Sequence, residues 1–286
     1  MKRFALLTNY TKDPDLWYNN LVKQYIEDHH GICWVPVREE GFAEETPRYE
    51  EMAVPEDTEC VIILGGDGTL LKIAGTRKFG DLPYFGINLG TMGFLTSAEA
   101  VELPYCLDDL LDDTYDLDER IMINGRVFRK KELIYECCAL NDVVINRSGF
   151  SRLVEVRIHV NDEFVTTVDA DGVIISTPTG STGYNLSAGG PIVFPHSDVM
   201  IATPICPHSM MNRSIVVSGS ETVRVEIGRR SKTQKEEAIA TFDGNDACKL
   251  ETGDVVEVKR SLRKARLIRQ AGRGFYSILQ NKISGA

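Results

Sequence analysis

One short stretch constrains the fold more than any other. Cys60-Val-Ile-Ile-Leu64 is an unbroken apolar run that stops at Gly65-Gly66-Asp67-Gly68-Thr69, and Leu70-Leu71-Lys72 follow with helical character. An apolar run of that length closed by glycines predicts a strand buried on both faces. Such a strand needs a layer of helices on each side, which is the arrangement of a parallel α/β sheet. The flanking sequence agrees. Residues 3–8, 32–37 and Tyr84–Ile87 predict further short strands. Asp13 to His30 carries Leu16, Trp17, Leu21, Val22, Tyr25 and Ile26 near helical spacing, with Gly31 as a stop. Helices are also expected over Thr69–Lys78 and Leu103–Leu111.

After Arg120 the texture changes. Segments 121–128, 132–138, 142–147, 153–160, 163–169, 172–177, 215–218, 222–228, 237–242 and 254–259 are short and β-rich. Turns are expected at Asn124-Gly125, Asn161-Asp162 and Glu251–Asp254. This pattern predicts an all-β domain of two packed sheets. Near the end, Phe275, Ile278, Leu279 and Ile283 share a helical face. The expected organisation is an α/β domain with a parallel, Rossmann-like sheet over 1–120 and an all-β, sandwich-like domain over 121–262. A C-terminal segment over 263–286 packs back on the first domain.

The formal charge is −10, which argues against nucleic-acid or anionic-membrane partners. No segment approaches the roughly 18 apolar residues of a membrane span. The apolar run near Met1 lasts four residues, too short for a signal core. Seven cysteines without a CxxC pair predict reduced thiols, and a cytoplasmic protein is expected. No HExxH or GxSxG occurs, so zinc-protease and serine-hydrolase chemistry lack support.

The glycine loop lies where open α/β folds bind ligands, at the carboxyl end of a strand. Its free amides suit a phosphate. It is not the dinucleotide fingerprint, because Leu71 stands where the last glycine belongs, and it is not a Walker A loop, because no Gly-Lys pair exists. Asp67 at its centre makes sense as a base toward an attacking hydroxyl or as a magnesium ligand. A second dense motif runs from Asp169 through Asp171, Gly172, Pro178, Thr182, Tyr184 and Ser187 to Pro191. Its hydroxyls and amides can bond ribose, carboxamide and phosphate groups, and Tyr184 can stack on a ring.

These motifs resemble those of bacterial-type NAD kinases over essentially the whole chain. They come in family order: Gly65–Thr69, Gly86–Leu95, Leu140–Val144, Asp171–Pro191 and Phe242–Gly244. The resemblance implies an α/β domain joined to a β-sandwich with the site between them. It implies phosphorylation of the 2′-hydroxyl of the adenosine ribose of NAD, with ATP or another phosphoryl donor and magnesium or another divalent cation. Asp67 matches the proton acceptor. Gly68 and Lys72 match residues near the dinucleotide, Gly66 is carried over as a substrate-binding residue, and Asn141 and Asp142 match the pair that binds the adenosine part. Arg152 is carried over as a further contact. Asp171 matches a carboxylate that acts across a subunit contact, so a homodimer or homotetramer is implied. Thr182, Gly183, Tyr184, Asn185, Leu186 and Ser187 match the loop around the nicotinamide and adenine ends, and Asn245 a further contact. No residue is assigned to a resident metal. Relatives usually carry Arg or Lys where this chain has Asp169, which bears on any phosphate contact there. Phe94 and Leu95 fit a site lining or a core equally well. The rival functions are a non-catalytic NAD(P)-binding regulator on the same fold and a lipid kinase sharing the Gly-Gly-Asp-Gly-Thr loop.

Overall fold

A computed structural model describes residues 1–36, 52–90, 93–148, 153–208, 213–229, 237–270 and 274–283. The chain divides into two units, Met1–Glu119 with Ala265–Ala286, and Arg120–Lys264. Among the described residues no helix is long and apolar enough to cross a membrane.

In the first unit, β1 (Arg3–Thr8), β2 (Ile32–Trp34), β3 (Cys60–Gly65), β4 (Pro83–Asn88) and the short β5 (Ala98–Glu99) pair in parallel in the order β2-β1-β3-β4-β5. The apolar runs of β1, β3 and β4 are buried on both faces, apart from Arg3 at the start of β1. Phe4, Leu6, Ile62, Leu64, Phe85 and Ile87 form one face, packed against Val22 and Ile26 of α1 (Trp17–Asp28) and Leu103, Leu107 and Leu110 of α3 (Leu103–Leu111). On the opposite face α2 (Asp67–Gly75) comes close: a Cβ on Gly86 would lie 3.1 Å from Leu70 Cδ1. The chain leaves β1 toward β2 on one side and leaves β3 toward β4 on the other. The order therefore reverses between β1 and β3, and their carboxyl ends flank the crevice where such sheets hold ligands.

The first helix is shorter than its apolar spacing suggests. Leu16 adopts a left-handed φ of 56° and helical bonding starts at Trp17. Asp13 still serves the helix, accepting the amides of Tyr18 at 3.2 Å and Asn19 at 2.9 Å. At the other end the left-handed residue is His30, with φ 62°, rather than Gly31. Gly31 is required by crowding, since a Cβ there would lie 2.6 Å from Ile26 Cγ2. The second helix begins at Asp67, two residues before the expected start, and ends at Gly75.

In the second unit, β8 (Asp142–Arg147), β11 (Gly172–Ser176), β12 (Val199–Ile205), β13 (Ile215–Ser218), β15 (Glu237–Phe242) and β16 (Asp246–Glu251) make one antiparallel sheet in the order β13-β12-β11-β8-β15-β16. A second antiparallel run joins β10 (Glu163–Ala170), β9 (Val154–Val160), β14 (Thr222–Ile227) and β17 (Val255–Arg269). The hairpin of β6 (Asp116–Arg129) and β7 (Glu132–Ala139) attaches to β17. Alternate residues from both sheets, among them Val143, Ile145, Val173, Ile175, Val156, Ile158, Val225 and Val258, form one core, the interior of a sandwich. A single helical turn, α4 (Tyr184–Ser187), follows β11.

Two strands escape the sequence pattern. β12 contains Pro204, which argues against a strand interior, yet Pro204 pairs with Val173. β16, Asp-Ala-Cys-Lys-Leu-Glu, buries only Leu250, so it lacks a run of alternating apolar residues. The expected segment at 254–259 is the start of a longer strand. After Lys264 β17 continues into the first unit, where Arg266 and Leu267 pair in parallel with Pro83 and Tyr84. α5 (Phe275–Ile283) follows.

The expected turn at Asn124-Gly125 is a correction. Both residues lie inside β6, paired with Cys138 and Cys137. The hairpin turns instead at Lys130-Lys131, both left-handed, at φ 50° and 69°. Gly125 is there because Phe242 needs the space: a Cβ would lie 2.5 Å from Phe242 Cε1 and 3.1 Å from Val143 Cγ2. Gly125→Val is therefore expected to destabilise the chain by about 1–3 kcal/mol through overpacking. Urea unfolding checks this, and an unchanged midpoint would place a turn, not a packed strand, at this position.

Candidate active site

The glycine loop of β3 feeds directly into α2, and Gly66 is its extended N-terminal neighbour. Asp67 occupies the first turn, where a negative charge is favoured by the helix dipole. Its carboxylate does not point into empty space. Oδ2 accepts the Phe94 amide at 2.7 Å, and Oδ1 accepts the amides of Leu95 at 3.1 Å and Thr96 at 3.2 Å. An ionised carboxylate has about four lone-pair positions, so three are taken and one on Oδ2 remains. The segment that supplies these amides is itself anchored within the first unit. Arg269 donates to Phe94 O at 2.8 Å and to Thr96 O at 3.1 Å, and its Nε lies 3.2 Å from Asp118. Leu95 is buried in the core, whereas Phe94 is half-buried with its ring 6.2 Å from that of Phe275.

The glycines around Asp67 have distinct reasons. A Cβ on Gly93 would lie 1.9 Å from Asp67 Oδ1, inside the carboxylate itself. A Cβ on Gly65 would lie 2.5 Å from Thr69 Oγ1. A Cβ on Gly68 would meet nothing within 4 Å among the described residues, so none of them requires glycine there. Exposed at the helix start, Gly68 leaves its face open to a ligand, and Lys72 is exposed farther along α2.

In the second unit an aspartate repeats the arrangement. Asp243 accepts the amides of Leu140 at 2.7 Å, Asn141 at 2.7 Å and Asp142 at 3.0 Å. It does so from a left-handed conformation, φ 50°, next to Gly244 at φ 71°, and its own amide returns to Asp142 O at 3.0 Å. Thr177 closes the other side, donating from Oγ1 to Leu140 O at 2.6 Å and from N to Asn141 O at 2.8 Å. Asn141 Oδ1 is buried without a hydrogen-bond partner among the described residues. Asp142 is 6% exposed. Its carboxyl is pushed up to about 7, first by burial and then by the charge of Asp243. Burial pushes Asp243 up to about 6, against the pull of its three amides.

The motif loop after β11 presents Tyr184, Leu186 and Ser187 on an exposed face, with Thr182 and Gly183 half-buried beside them. Asn185 is a correction to the expected site. Its side chain is fully buried and fully used: Nδ2 donates to Ser181 O at 3.2 Å and Pro191 O at 3.1 Å, and Oδ1 accepts from Thr203 Oγ1 at 2.7 Å. Only its backbone is left for a ligand. Asp171 is held by Arg147 in a 2.6 Å ion pair, both side chains about one-third exposed. Asn245 is exposed and donates to Asp243 O at 3.0 Å. Arg152 lies outside the described residues.

Asp67 and Lys72 with their glycines thus belong to the first unit, and the other described candidates to the second. One residue that shapes the second unit's site was not among the candidates: Asp243 hides in an Asp-Gly pair that looks like an ordinary turn.

A glycine loop at a sheet's switch point, opening a helix that begins with a carboxylate, suits a phosphate-bearing ligand, and it has neither the Gly-Lys pair of a P-loop nor the last glycine of the dinucleotide fingerprint. Comparison with known proteins is specific. Residues 22–115 match the ATP-NAD kinase N-terminal domain and residues 140–270 the ATP-NAD kinase C-terminal domain. An NAD kinase of Lachnoclostridium phytofermentans is 41% identical over 99% of both chains, and one of Lachnospira eligens 39% over 99% of this chain and 100% of its own. The fold is shared with yeast NADH kinase in complex with NADH, at TM-score 0.80 and 21% identity over 100% of this chain and 88% of the other. It is also shared with an Archaeoglobus fulgidus NAD kinase in complex with ATP, at TM-score 0.77 and 22% identity over 99% of each. The chain belongs to the ATP-NAD kinase family, and its function is that family's phosphotransferase activity on NAD.

Two outcomes follow from the geometry. Gly93→Ala must push Asp67 off its amides, so both stability and activity are expected to fall, the former by about 1–3 kcal/mol for the lost buried bonds. A variant with wild-type melting and turnover would mean the carboxylate does not need this seat. The second concerns pH. The ordinary aspartate value is 3.8, so the folded chain holds extra protons at Asp142 and Asp243 between about pH 4 and pH 7. Stability from these groups is present at low pH and is lost as pH rises through that window. Asp142→Asn removes one such group, and its stability relative to wild type is expected to improve from pH 4.5 to pH 7.5. A difference that stays constant across those pH values contradicts the burial argument.

Proposed function

We propose that the chain moves the γ-phosphoryl group of ATP to the 2′-hydroxyl of the adenosine ribose of NAD, with Asp67 taking the hydroxyl proton. The observation that supports this most is the seat of Asp67. Three backbone amides hold the carboxylate at the helix start, beside an open glycine, with one Oδ2 lone pair left over. Phosphoryl transfer passes through a loose transition state, so positioning and charge neutralisation dominate. The hydroxyl becomes strongly acidic only as its oxygen bonds to phosphorus, so a carboxylate can take the proton late. The 2′ C–O–H proton passes to Asp67, the ribose oxygen bonds to the γ-phosphorus, and the bond to the bridging oxygen breaks with its electron pair leaving on ADP. Magnesium would enter with the donor and supply charge neutralisation on its phosphate groups, and no residue of the chain is assigned to hold it.

Substrate binding is assigned to Gly66, and NAD binding to Gly68, Lys72, Asn141, Asp142, Thr182, Gly183, Tyr184, the Asn185 backbone, Leu186, Ser187 and Asn245. The buried Asn141 Oδ1, partnerless among the described residues, supports a ligand donor there, and the exposed ring of Tyr184 supports stacking. Asp171 would act across a subunit contact in a homodimer or homotetramer, carried by a cytoplasmic protein without nucleic-acid or membrane partners.

Asp67→Asn tests the base. An amide can accept bonds through its oxygen alone, and its NH₂ would face a backbone N–H, so some stability is lost with the seat. Turnover must therefore be measured at a temperature where the variant is folded. A loss on the order of 10²–10⁴-fold in kcat is expected, with NAD affinity little changed. A folded variant that keeps near-normal turnover refutes the role.

A further inference from the structure

We infer that Lys12 is a catalytic residue, binding the phosphate chain of the phosphoryl donor at the crevice between β1 and β3. This rests on the proposed reaction and adds the cation that reaction needs. Lys12 lies in the loop leaving β1, and Gly66 follows Gly65, the last residue of β3, so both stand at the carboxyl ends of the strands where the sheet order reverses.

The loop is held firmly. Asn9 N donates to Leu64 O at 2.8 Å, and Asn9 Nδ2 donates to Thr69 Oγ1 at 3.1 Å. The amides of Thr11 and Lys12 turn back onto Asn9 Oδ1 at 3.0 and 3.3 Å. That network delivers the Lys12 ammonium to one spot. A Cβ on Gly66 would lie 2.7 Å from Lys12 Nζ, and a Cβ on Gly90 would lie 3.5 Å from it. The ammonium therefore stands over the glycine that precedes Asp67. Its one hydrogen bond among the described residues is a long 3.5 Å contact to Gly65 O. No carboxylate pairs with it among the described residues, and the nearby Asp67 carboxylate is occupied by amides instead.

A second group aims at the same spot. Asn88 is 2% exposed, and its Nδ2 donates to Gly90 O at 2.6 Å. Its Oδ1 is buried with no partner among the described residues and lies 3.6 Å from the Cβ position of Gly66. A buried acceptor left open costs free energy unless something donates to it. A donor phosphate supplies a charge for Lys12, and a hydrogen-bond donor that accompanies it would satisfy Asn88 Oδ1. In the transfer described above Lys12 keeps its proton throughout and neutralises charge on the phosphate oxygens.

Why the donor and not the pyrophosphate of NAD? The phosphoryl group in flight must lie against the group that accepts the proton, and Lys12 borders the residue immediately before Asp67. The test uses Lys12→Met and Lys12→Arg in the full chain. Calorimetry reads binding of magnesium-ATP, of magnesium tripolyphosphate and of NAD, and steady-state kinetics reads NADP formation. For Lys12→Met, kcat/KM for ATP is expected to fall on the order of 10²–10³-fold. Binding of ATP and of tripolyphosphate should weaken together, while NAD affinity and the melting temperature stay at wild-type values. Lys12→Arg should recover most of the loss. Wild-type ATP binding and kcat/KM in Lys12→Met would overturn the assignment, as would weakened NAD binding with ATP binding intact. Wild-type protein that binds ATP yet forms no NADP would defeat the proposed reaction instead, and the binding arms would still decide Lys12.

Discussion

A carboxylate that gathers consecutive backbone amides organises both units of this chain. Asp67 holds the amides of residues 94–96, and Asp243 holds those of residues 140–142. Charge-assisted bonds of this kind are roughly twice as strong as neutral ones, and each fixes three residues of backbone at once. In the first unit the device points the carboxylate and tethers the segment after β4. In the second it sets the strand entrance that carries Asn141 and Asp142. Remove either carboxylate and a run of buried amides loses its acceptors, so chemistry and fold are coupled at the same atoms.

The glycine positions express that coupling. Gly93 has no side chain because the Asp67 carboxylate occupies the space, and Gly180 has none because a Cβ would lie 2.2 Å from Asn141 O. Gly68 differs, since nothing among the described residues crowds it. A glycine with a packing reason belongs to the scaffold, and Gly68, at the helix start beside Asp67, has no such reason among them.

Much of this was legible in the sequence because it follows from local pattern. The buried runs of β1, β3 and β4, the glycine loop and most strands of the second unit each follow from periodicity and turn chemistry. What the sequence concealed depends on residues far apart in the chain. Asn124-Gly125 looks like a hairpin turn until Phe242 is seen to occupy the missing side chain's place. Asn185 looks like a ligand contact until Ser181, Pro191 and Thr203 are seen to use up its polar atoms. Lys12 and Asn88 converge on Gly66 only because the parallel sheet brings the ends of β1, β3 and β4 together. Leu16 shows the same limit at short range: its left-handed conformation starts the helix at Trp17, although the apolar spacing begins at Leu16.

The central claim is that Asp67, while seated on its amides, faces the hydroxyl that is phosphorylated. A crystal structure of the wild-type chain with NAD bound tests it most directly. The expected result places the 2′-oxygen of the adenosine ribose within about 2.6–3.2 Å of Asp67 Oδ2, hydrogen-bond reach for proton transfer, with the amides of residues 94–96 still on the carboxylate. A ribose whose 2′-oxygen lies beyond that reach, with another side chain in its place, would contradict it.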